Sequence, residues 1–469
     1  MKVLLINPPS GIENPILPLG LGYIAAVLEK NDIDVKVIDA TALHLNQMQL
    51  VNEIISFQPD IVGVSIMTPT YSASIETVRM IRKIAPKIVI IVGGPHPSAL
   101  PQRTLEENPE IDIIVCGEGE FTMLELIQTI SSGRSIESVK GIYYRKNGLS
   151  ISTSSRAPID DLDSLPFPAR HMFPIDKYKT HPPYGMKNPY MSMISSRGCP
   201  FKCAYCSKSI FGNKLRMRSP KNVVDEIAYL IKEYGIKEIH FYDDDFTINM
   251  NRAEEICDEI IKREIKIIWS CTTRVDLVNQ NLLKKMKSAG CWLISYGVES
   301  SRQELLDLIG KGITIEQVKS AIKWTKDARI KILGFFMIGL PGETIESINE
   351  TIQFSKELDF DITNWSLTTI FPGTPLEELV KKRALKKGKI IPYTSGHHDL
   401  YRLPLKQNPV FIYEENLSVD ELNLSIKRAY REFYLRPKYM LRQIYQINSI
   451  SELVYYSRVG FTMLKWLLT

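Results

Sequence analysis

The chain has 469 residues, 44% of them hydrophobic and 24% charged, too long for one ordinary core and too apolar for a disordered or fibrous protein. Its formal net charge of +5 comes from 58 basic and 53 acidic residues mixed along the chain, so no nucleic-acid partner is expected. No charged segment followed by an apolar run opens the sequence, and seven scattered or loop-clustered cysteines do not form a disulfide framework; a cytoplasmic protein is expected.

From Lys2 to about Thr129, apolar β-branched runs alternate with amphipathic stretches. VLLIN precedes a helix near Leu19–Glu29, VKVID a helix near Leu45–Phe57, and IVGVSI a helix near Ala73–Ala85. IVIIVGG follows, then IDIIVCG and a last helix near Glu120–Ile130. Fully apolar strands separated by helices predict a doubly wound, Rossmann-like parallel sheet covered on both faces. Such sheets bind ligands beyond the carboxyl ends of their strands. The candidate ligand loops are Asn7–Gly11, Met67–Tyr71, Gly93–His96 and Gly117–Glu120. Gly93 and Gly94 would let backbone approach a large ligand, or they serve only as turn formers.

Residues 136–190 lack regular periodicity and are rich in proline, which predicts an ordered connector wrapping both halves of the chain. A second series of six strands then alternates with helices: MSMIS, EIHFYD, KIIWSC, WLISYGVE, ILGFFMIG and NWSLTTI. This pattern predicts a partial β/α barrel over 191–390, with its chemistry at the carboxyl ends of the strands. Residues 391–469 are expected to form a helical, basic region carrying Lys427, Arg428, Arg431, Arg436, Lys438 and Arg442. Its last stretch, Ile450–Thr469, is apolar but interrupted by Arg458 and Lys465. A helix packed on the barrel is expected there, with peripheral membrane contact or a lipid-substrate entrance as the alternative. His397-His398-Asp399 reads as a solvated loop, and residues 1–135 complete the division as the first domain.

The run Ser196-Arg197-Gly198-Cys199-Pro200-Phe201-Lys202-Cys203-Ala204-Tyr205-Cys206 follows the first strand of the second series. Three thiolates on one loop bind three corners of a cubane cluster and leave its fourth iron open. A structural zinc site would want a fourth ligand, and none follows within the loop. The remaining cysteines, Cys116, Cys257, Cys271 and Cys291, are expected to be buried thiols.

The cysteine spacing, with aromatic Tyr205 just before the last thiol, resembles the radical S-adenosylmethionine superfamily. The resemblance implies a [4Fe-4S] cluster on Cys199, Cys203 and Cys206 whose open iron takes S-adenosylmethionine. One electron from a flavodoxin- or ferredoxin-type donor then yields a 5'-deoxyadenosyl radical. It further implies that Asp243 and Asp244 support the methionine amino group and that Arg274 pairs with the carboxylate. Glu299 and Ser300 would meet the ribose, and Gly339 and Pro341 the adenine.

The doubly wound domain ahead of the barrel resembles that of radical enzymes with a cobalamin-binding domain. The resemblance is carried by Asn7-Pro8-Pro9, Pro18-Leu19-Gly20-Leu21-Gly22-Tyr23, Gly93-Gly94-Pro95-His96 and Gly117-Glu118-Gly119-Glu120. It implies a corrinoid near Pro8, Pro9, Gly93, Gly94, Gly117, Glu118 and Glu120, with its lower face near Met67, Thr68 and Tyr71. No Asp-x-His-x-x-Gly run occurs, since His44 lies five residues after Asp39, so base-off cobalamin without a histidine ligand is expected. His96 is the one candidate axial ligand, although a loop histidine beside proline more often has a structural role.

The expected activity is therefore methylation of an unactivated carbon of a small-molecule or lipid substrate by methylcobalamin. Ring formation or rearrangement with the same cofactors is the alternative, and a non-catalytic corrinoid or redox sensor a remote one. Methylthiolation of RNA would want three cysteines in the first domain, which holds only Cys116.

Overall fold

The computed structural model describes residues 1–12, 14–181, 183–393, 410–445 and 460. The His397-His398-Asp399 run and, apart from Gly460, the terminal stretch Ile450–Thr469 lie outside the described residues. Among the described residues no helix is long and apolar enough to cross a membrane.

The first sheet is built from β1 (Lys2–Asn7), β2 (Asp34–Asp39), β3 (Ile61–Ser65), β4 (Val89–Gly93) and β5 (Ile113–Val115), with β6 (Ile142–Lys146) and β7 (Leu149–Ser152) added at one edge. The order is β2-β1-β3-β4-β5-β6-β7. Its first five strands are parallel, while β6 and β7 run antiparallel to their neighbours. Side-chain alternation explains why these runs are apolar throughout. Val3 and Leu5 pack into one core with Ile61, Ile91 and Ile113, while Leu4 and Ile6 join Val62, Val64, Ile90 and Val92 in another. Strand order reverses between β1 and β3, so the loops Asn7–Gly11 and Met67–Tyr71 flank the switch point where such sheets bind ligands.

The β6–β7 hairpin corrects the expected connector, because residues 142–152 continue the first sheet. Asn147 and Gly148 both take positive φ, 51° and 79°, the pattern of a type I′ turn, whose twist matches that of the paired strands. Downstream, the segment does bridge both sheets. Tyr178 Oη donates to Asp39 Oδ2 at 2.8 Å at the end of β2. Fully buried Arg170 pairs with Glu226 at 2.6 Å and donates to the Ser192 carbonyl at 3.0 Å.

The second sheet contains β8 (Tyr190–Met193), followed by a small hairpin of β9 (Ser196–Arg197) and β10 (Arg216–Met217), then β11 (Glu238–Phe241), β12 (Ile268–Thr273), β13 (Cys291–Glu299), β14 (Lys331–Ile338) and β15 (Ile362–Leu367). Apart from the hairpin, these strands form one parallel sheet, β15-β14-β13-β12-β11-β8, the open barrel that the sequence predicts. A two-stranded ladder of β16 (Lys389–Tyr393) and β17 (Val410–Glu414) follows.

The helix Val419–Tyr434 covers the free edge of β15. Tyr430 and Tyr434 lie one turn apart and match the backbone of Trp365 and Thr363, two residues apart on a strand. Tyr434 Oη accepts from the Thr363 N–H at 3.0 Å and donates to its carbonyl at 2.7 Å. Tyr430 Oη accepts from the Trp365 N–H at 3.2 Å. Two phenol hydroxyls thus replace a missing strand. Tyr434→Phe is expected to weaken this edge by about 1–2 kcal/mol, read as roughly 5- to 30-fold faster hydrogen exchange at the Thr363 amide. Two basic residues of the region close onto one acid of the barrel, Arg442 reaching Asp359 at 3.2 Å and Lys438 the same residue at 3.7 Å, and in the reverse sense Lys356 of the barrel reaches Glu432 of the helix at 2.7 Å.

Candidate active site

The loop of residues 198–215 leaves β9 and returns through β10, so its two ends are fixed side by side. Asp243, at the end of β11, anchors its start. Its Oδ1 accepts from the Ser195 N–H at 2.7 Å, and its Oδ2 from the Ser195 and Ser196 hydroxyls at 2.5 and 2.6 Å. This differs from the implied role toward a methionine amine, since both oxygens already hold the chain. Asp244 is the exposed member of the acidic run, and Asp245 is buried with an oxygen 3.6 Å from Cys199 Sγ. Burial pushes Asp245 up to about 7.

The three cysteines present a graded exposure: Cys203 is buried, Cys199 half-buried and Cys206 exposed. A hydrogen bond from Cys206, with Lys311 and Arg274 nearby, holds the Cys203 thiol below its ordinary range. Thiolate is the ligating form, and of the three sulfurs the surroundings favour it at Cys203, whereas burial raises Cys199 and the shared hydrogen bond together with burial raises Cys206. Among the described residues no three of His, Cys, Asp and Glu close on a point sized for a single ion. The donor set is three sulfurs on one loop, with the outermost opening to solvent, and it fits a cluster with one corner left for a cofactor.

Behind the loop Tyr205 and Glu299 form a buried group with Lys311, the member that the sequence reading missed. Glu299 Oε1 accepts from Tyr205 Oη at 2.8 Å and from Lys311 Nζ at 2.8 Å, and Lys311 also reaches Tyr205 Oη at 3.0 Å. Glu299 takes φ of 67°, unusual outside glycine, at a bulge in β13. Gly297 makes room for the pair, because a Cβ there would stand 2.5 Å from Glu299 Oε1 and 2.6 Å from Lys311 Nζ. Ser300 is buried and accepts from the Arg302 N–H at 3.2 Å, a turn-holding contact.

Arg274 lies 3.8 Å over the Phe201 ring and bonds Asp276 through two nitrogens, both at 2.9 Å. It also donates to the carbonyls of Lys311 and Gly312 at 2.7 and 3.3 Å, and its Nη1 stands 3.9 Å from Cys203 Sγ. The implied carboxylate partner of a cofactor is therefore in this structure a brace between the cysteine loop and the Lys311 loop.

The Gly339–Gly342 turn ends β14, with Pro341 buried. Glu343 Oε2 accepts from the Gly339 and Leu340 N–H groups at 2.6 and 3.1 Å, while its buried Oε1 has no hydrogen-bond partner among the described residues. Burial raises Glu343 to about 7 from an ordinary 4.5. A raised carboxyl lends stability that is complete below its ordinary value and lost as pH rises through the folded one. Wild type is expected to lose about 3 kcal/mol from this group between about pH 5 and pH 8. Glu343→Gln keeps an acceptor for both N–H groups and is expected to flatten that slope in denaturation measured across the range.

On the first sheet, Pro8 is buried beneath its loop and Pro9 half-buried, with the Pro8 carbonyl accepting from Thr41 Oγ1 at 2.6 Å. Gly94 has φ of 103°, and a Cβ there would meet the Ile66 carbonyl at 2.8 Å, so this glycine serves the close packing of two loops. Gly93 has no such crowding, its nearest neighbour lying 3.5 Å away. His96 packs at a tilt against Tyr71 with ring centres 4.3 Å apart and shares a hydrogen bond with Thr68 Oγ1 at 3.2 Å. Burial holds its imidazole neutral, down to about 4. Beside it Met67 is 40% exposed. An uncharged floor with an apolar side chain standing free suits the flat face of a macrocycle such as a corrin.

Glu118 and Glu120 sit elsewhere than implied. Both are buried, and they bond Arg197 at 2.6 and 2.7 Å, while Arg216 reaches Glu118 at 2.5 Å. Gly117 donates its N–H to Ser98 Oγ at 3.0 Å and lies near the Ile210 carbonyl, 3.7 Å from where its Cβ would be. Ser209 Oγ donates to the Pro95 carbonyl at 3.1 Å. The cysteine loop therefore rests on the loops after β4 and β5, and the carboxyl ends of the two sheets face each other.

Family models for the B12 binding domain and for the Radical SAM superfamily match residues 11–127 and 193–355. An uncharacterized methyltransferase of Pyrococcus horikoshii is 35% identical over 456 residues, 95% of each chain. Anaerobic magnesium-protoporphyrin IX monomethyl ester cyclase of Rubrivivax gelatinosus is 34% identical over 388 residues, 80% of this chain and 69% of that one. The fold is shared with the solved structure of the radical S-adenosylmethionine methyltransferase TsrM from Kitasatospora setae with cobalamin and [4Fe-4S] cluster bound. The TM-score is 0.75 at 20% identity, covering 93% of this chain and 89% of that one.

Proposed function

We propose that this chain, which belongs to the radical S-adenosylmethionine enzymes built with an amino-terminal cobalamin-binding domain, methylates an unactivated carbon of a small-molecule or lipid substrate. When bound, the cluster and S-adenosylmethionine supply a hydrogen-abstracting radical, and cobalamin supplies the methyl group. Cys199, Cys203 and Cys206 would hold the cluster, Asp244 and the Gly339–Gly342 turn would flank S-adenosylmethionine, and Pro9, Met67, Thr68 and Gly93 would line the corrinoid face. An external donor of flavodoxin or ferredoxin type would deliver the electron.

The observation that carries this reading is the apposition of the two sheet ends, fixed by Ser209 on Pro95 and by Arg197 on Glu118 and Glu120. A substrate between them would meet both chemistries at once, and positioning of that kind supplies much of the rate in such reactions. Ring formation with the same cofactors is the second reading, favoured by the resemblance to the cyclase. Methyl-deuterated S-adenosylmethionine, supplied with reductant and an anaerobic cell extract, separates them. Methyl transfer yields S-adenosylhomocysteine beside 5'-deoxyadenosine and a product three mass units heavier than with unlabelled cofactor; ring formation yields 5'-deoxyadenosine without S-adenosylhomocysteine.

A further inference from the structure

Arg197 immediately precedes Gly198 and Cys199, and Arg216 lies just past the end of the same loop, where β10 pairs with β9. Both arginines converge on Glu118, and Arg197 also takes Glu120. The four side chains are no more than 5% exposed. Tyr23 and Phe211 lie 4.8 and 5.3 Å from the Arg197 guanidinium, so water is kept from the pairs. Arg216 is held further by donating to the carbonyls of Ile159 and Phe211 at 2.8 and 3.0 Å.

The carboxylates and the arginines belong to different cofactor halves. Glu118 and Glu120 stand in the loop and helix start after β5, on the corrinoid side, whereas Arg197 and Arg216 are the two feet of the cluster loop. Buried charges cannot separate without heavy loss, so the feet and the β5 loop must move as one body. Ordering the cysteine loop around a cluster therefore also orders the loops after β4 and β5, through Glu118, Glu120 and the Ser209–Pro95 bond.

We propose that Arg197, Arg216, Glu118 and Glu120 are positioning residues that couple the two cofactor sites, so that a loaded cluster tightens cobalamin binding and bound cobalamin tightens the cluster loop by the same factor. This rests on the cofactor assignment made above. Full-length protein is titrated anaerobically with hydroxocobalamin, followed by absorbance, before and after reconstitution with iron and sulfide. Reconstitution is expected to tighten binding at least about fivefold. Arg197→Lys keeps a cation between the carboxylates but loses the planar fork that reaches both, and the ratio of the two affinities is expected to fall to about one. Where that variant does not fold, Glu120→Gln, which leaves the Arg197–Glu118 pair in place, is expected to lower the ratio in the same direction. A merely stabilising network would shift melting temperature and leave the ratio alone. A ratio of one in wild type, or variants that keep the wild-type ratio, overturns the coupling while leaving the cofactor assignment standing. Absence of hydroxocobalamin binding in both forms overturns the two together.

Discussion

Cys203→Ser is expected to lower reductive cleavage of S-adenosylmethionine by at least about 10³-fold, beyond the 10- to 100-fold typical of removing a residue that only supports a metal ligand. Cys203 is the buried member of the trio and the one whose thiol is held low by its surroundings. Cys199→Ser and Cys206→Ser are expected to behave alike, because in the proposed assignment the three sulfurs would be the whole protein share of the cluster. Lys311→Met is expected to fall in the smaller range. It removes the cation beside Cys203 and leaves Glu299 to Tyr205 alone, but takes away no sulfur. Iron content, the cluster absorbance and 5'-deoxyadenosine formation, measured in parallel, separate ligand loss from loss of support. Equal effects of Cys203→Ser and Lys311→Met would contradict the division of roles.

Glu118→Ala is expected to destabilise the chain by about 3–5 kcal/mol, the usual penalty when one partner of a buried ion pair is removed. Arg197 would keep Glu120, but Arg216 would lose its only acidic partner among the described residues while staying 2% exposed. The effect should appear in thermal denaturation of the unloaded protein. By contrast the exposed pair of Lys214 with Asp160, only two residues from Arg216, is solvated on both sides, and Asp160→Asn is expected to leave the melting temperature unchanged.

The parallel strands of both sheets are legible in the sequence because each is a short apolar run bounded by turn residues, and their alternation with helices leaves one architecture. The cysteine loop was readable because its ligands are close in sequence. The hairpin of residues 142–152 is legible in principle, since Asn147-Gly148 between alternating residues is a strong turn signal, but the prolines on its far side make the segment read as connector. Other roles depend on partners far apart in sequence. Glu118 looks like a strand-end ligand until its partners, 79 and 98 residues away, fold onto it. Asp243 sits at the strand end where a ligand contact is expected, yet Ser195 and Ser196, which lead into the cysteine loop, take both its oxygens. Lys311 carried a faint signal, a lone cation between Gly310 and Gly312; only the bulge at Glu299 brings it to Tyr205. Asp245 was passed over beside two similar neighbours, and which of three adjacent carboxylates faces a thiol is decided by backbone direction rather than by residue type.

Most directly, the protein can be reconstituted anaerobically with iron, sulfide and hydroxocobalamin, stripped of loose cofactor by gel filtration, and assayed for metal and corrin. Opposed sheet ends of this kind predict about four irons and one corrinoid per chain, with 5'-deoxyadenosine formed once reductant and S-adenosylmethionine are added. A single tightly held zinc, or a corrinoid that elutes apart from a protein carrying its cluster, would contradict the account.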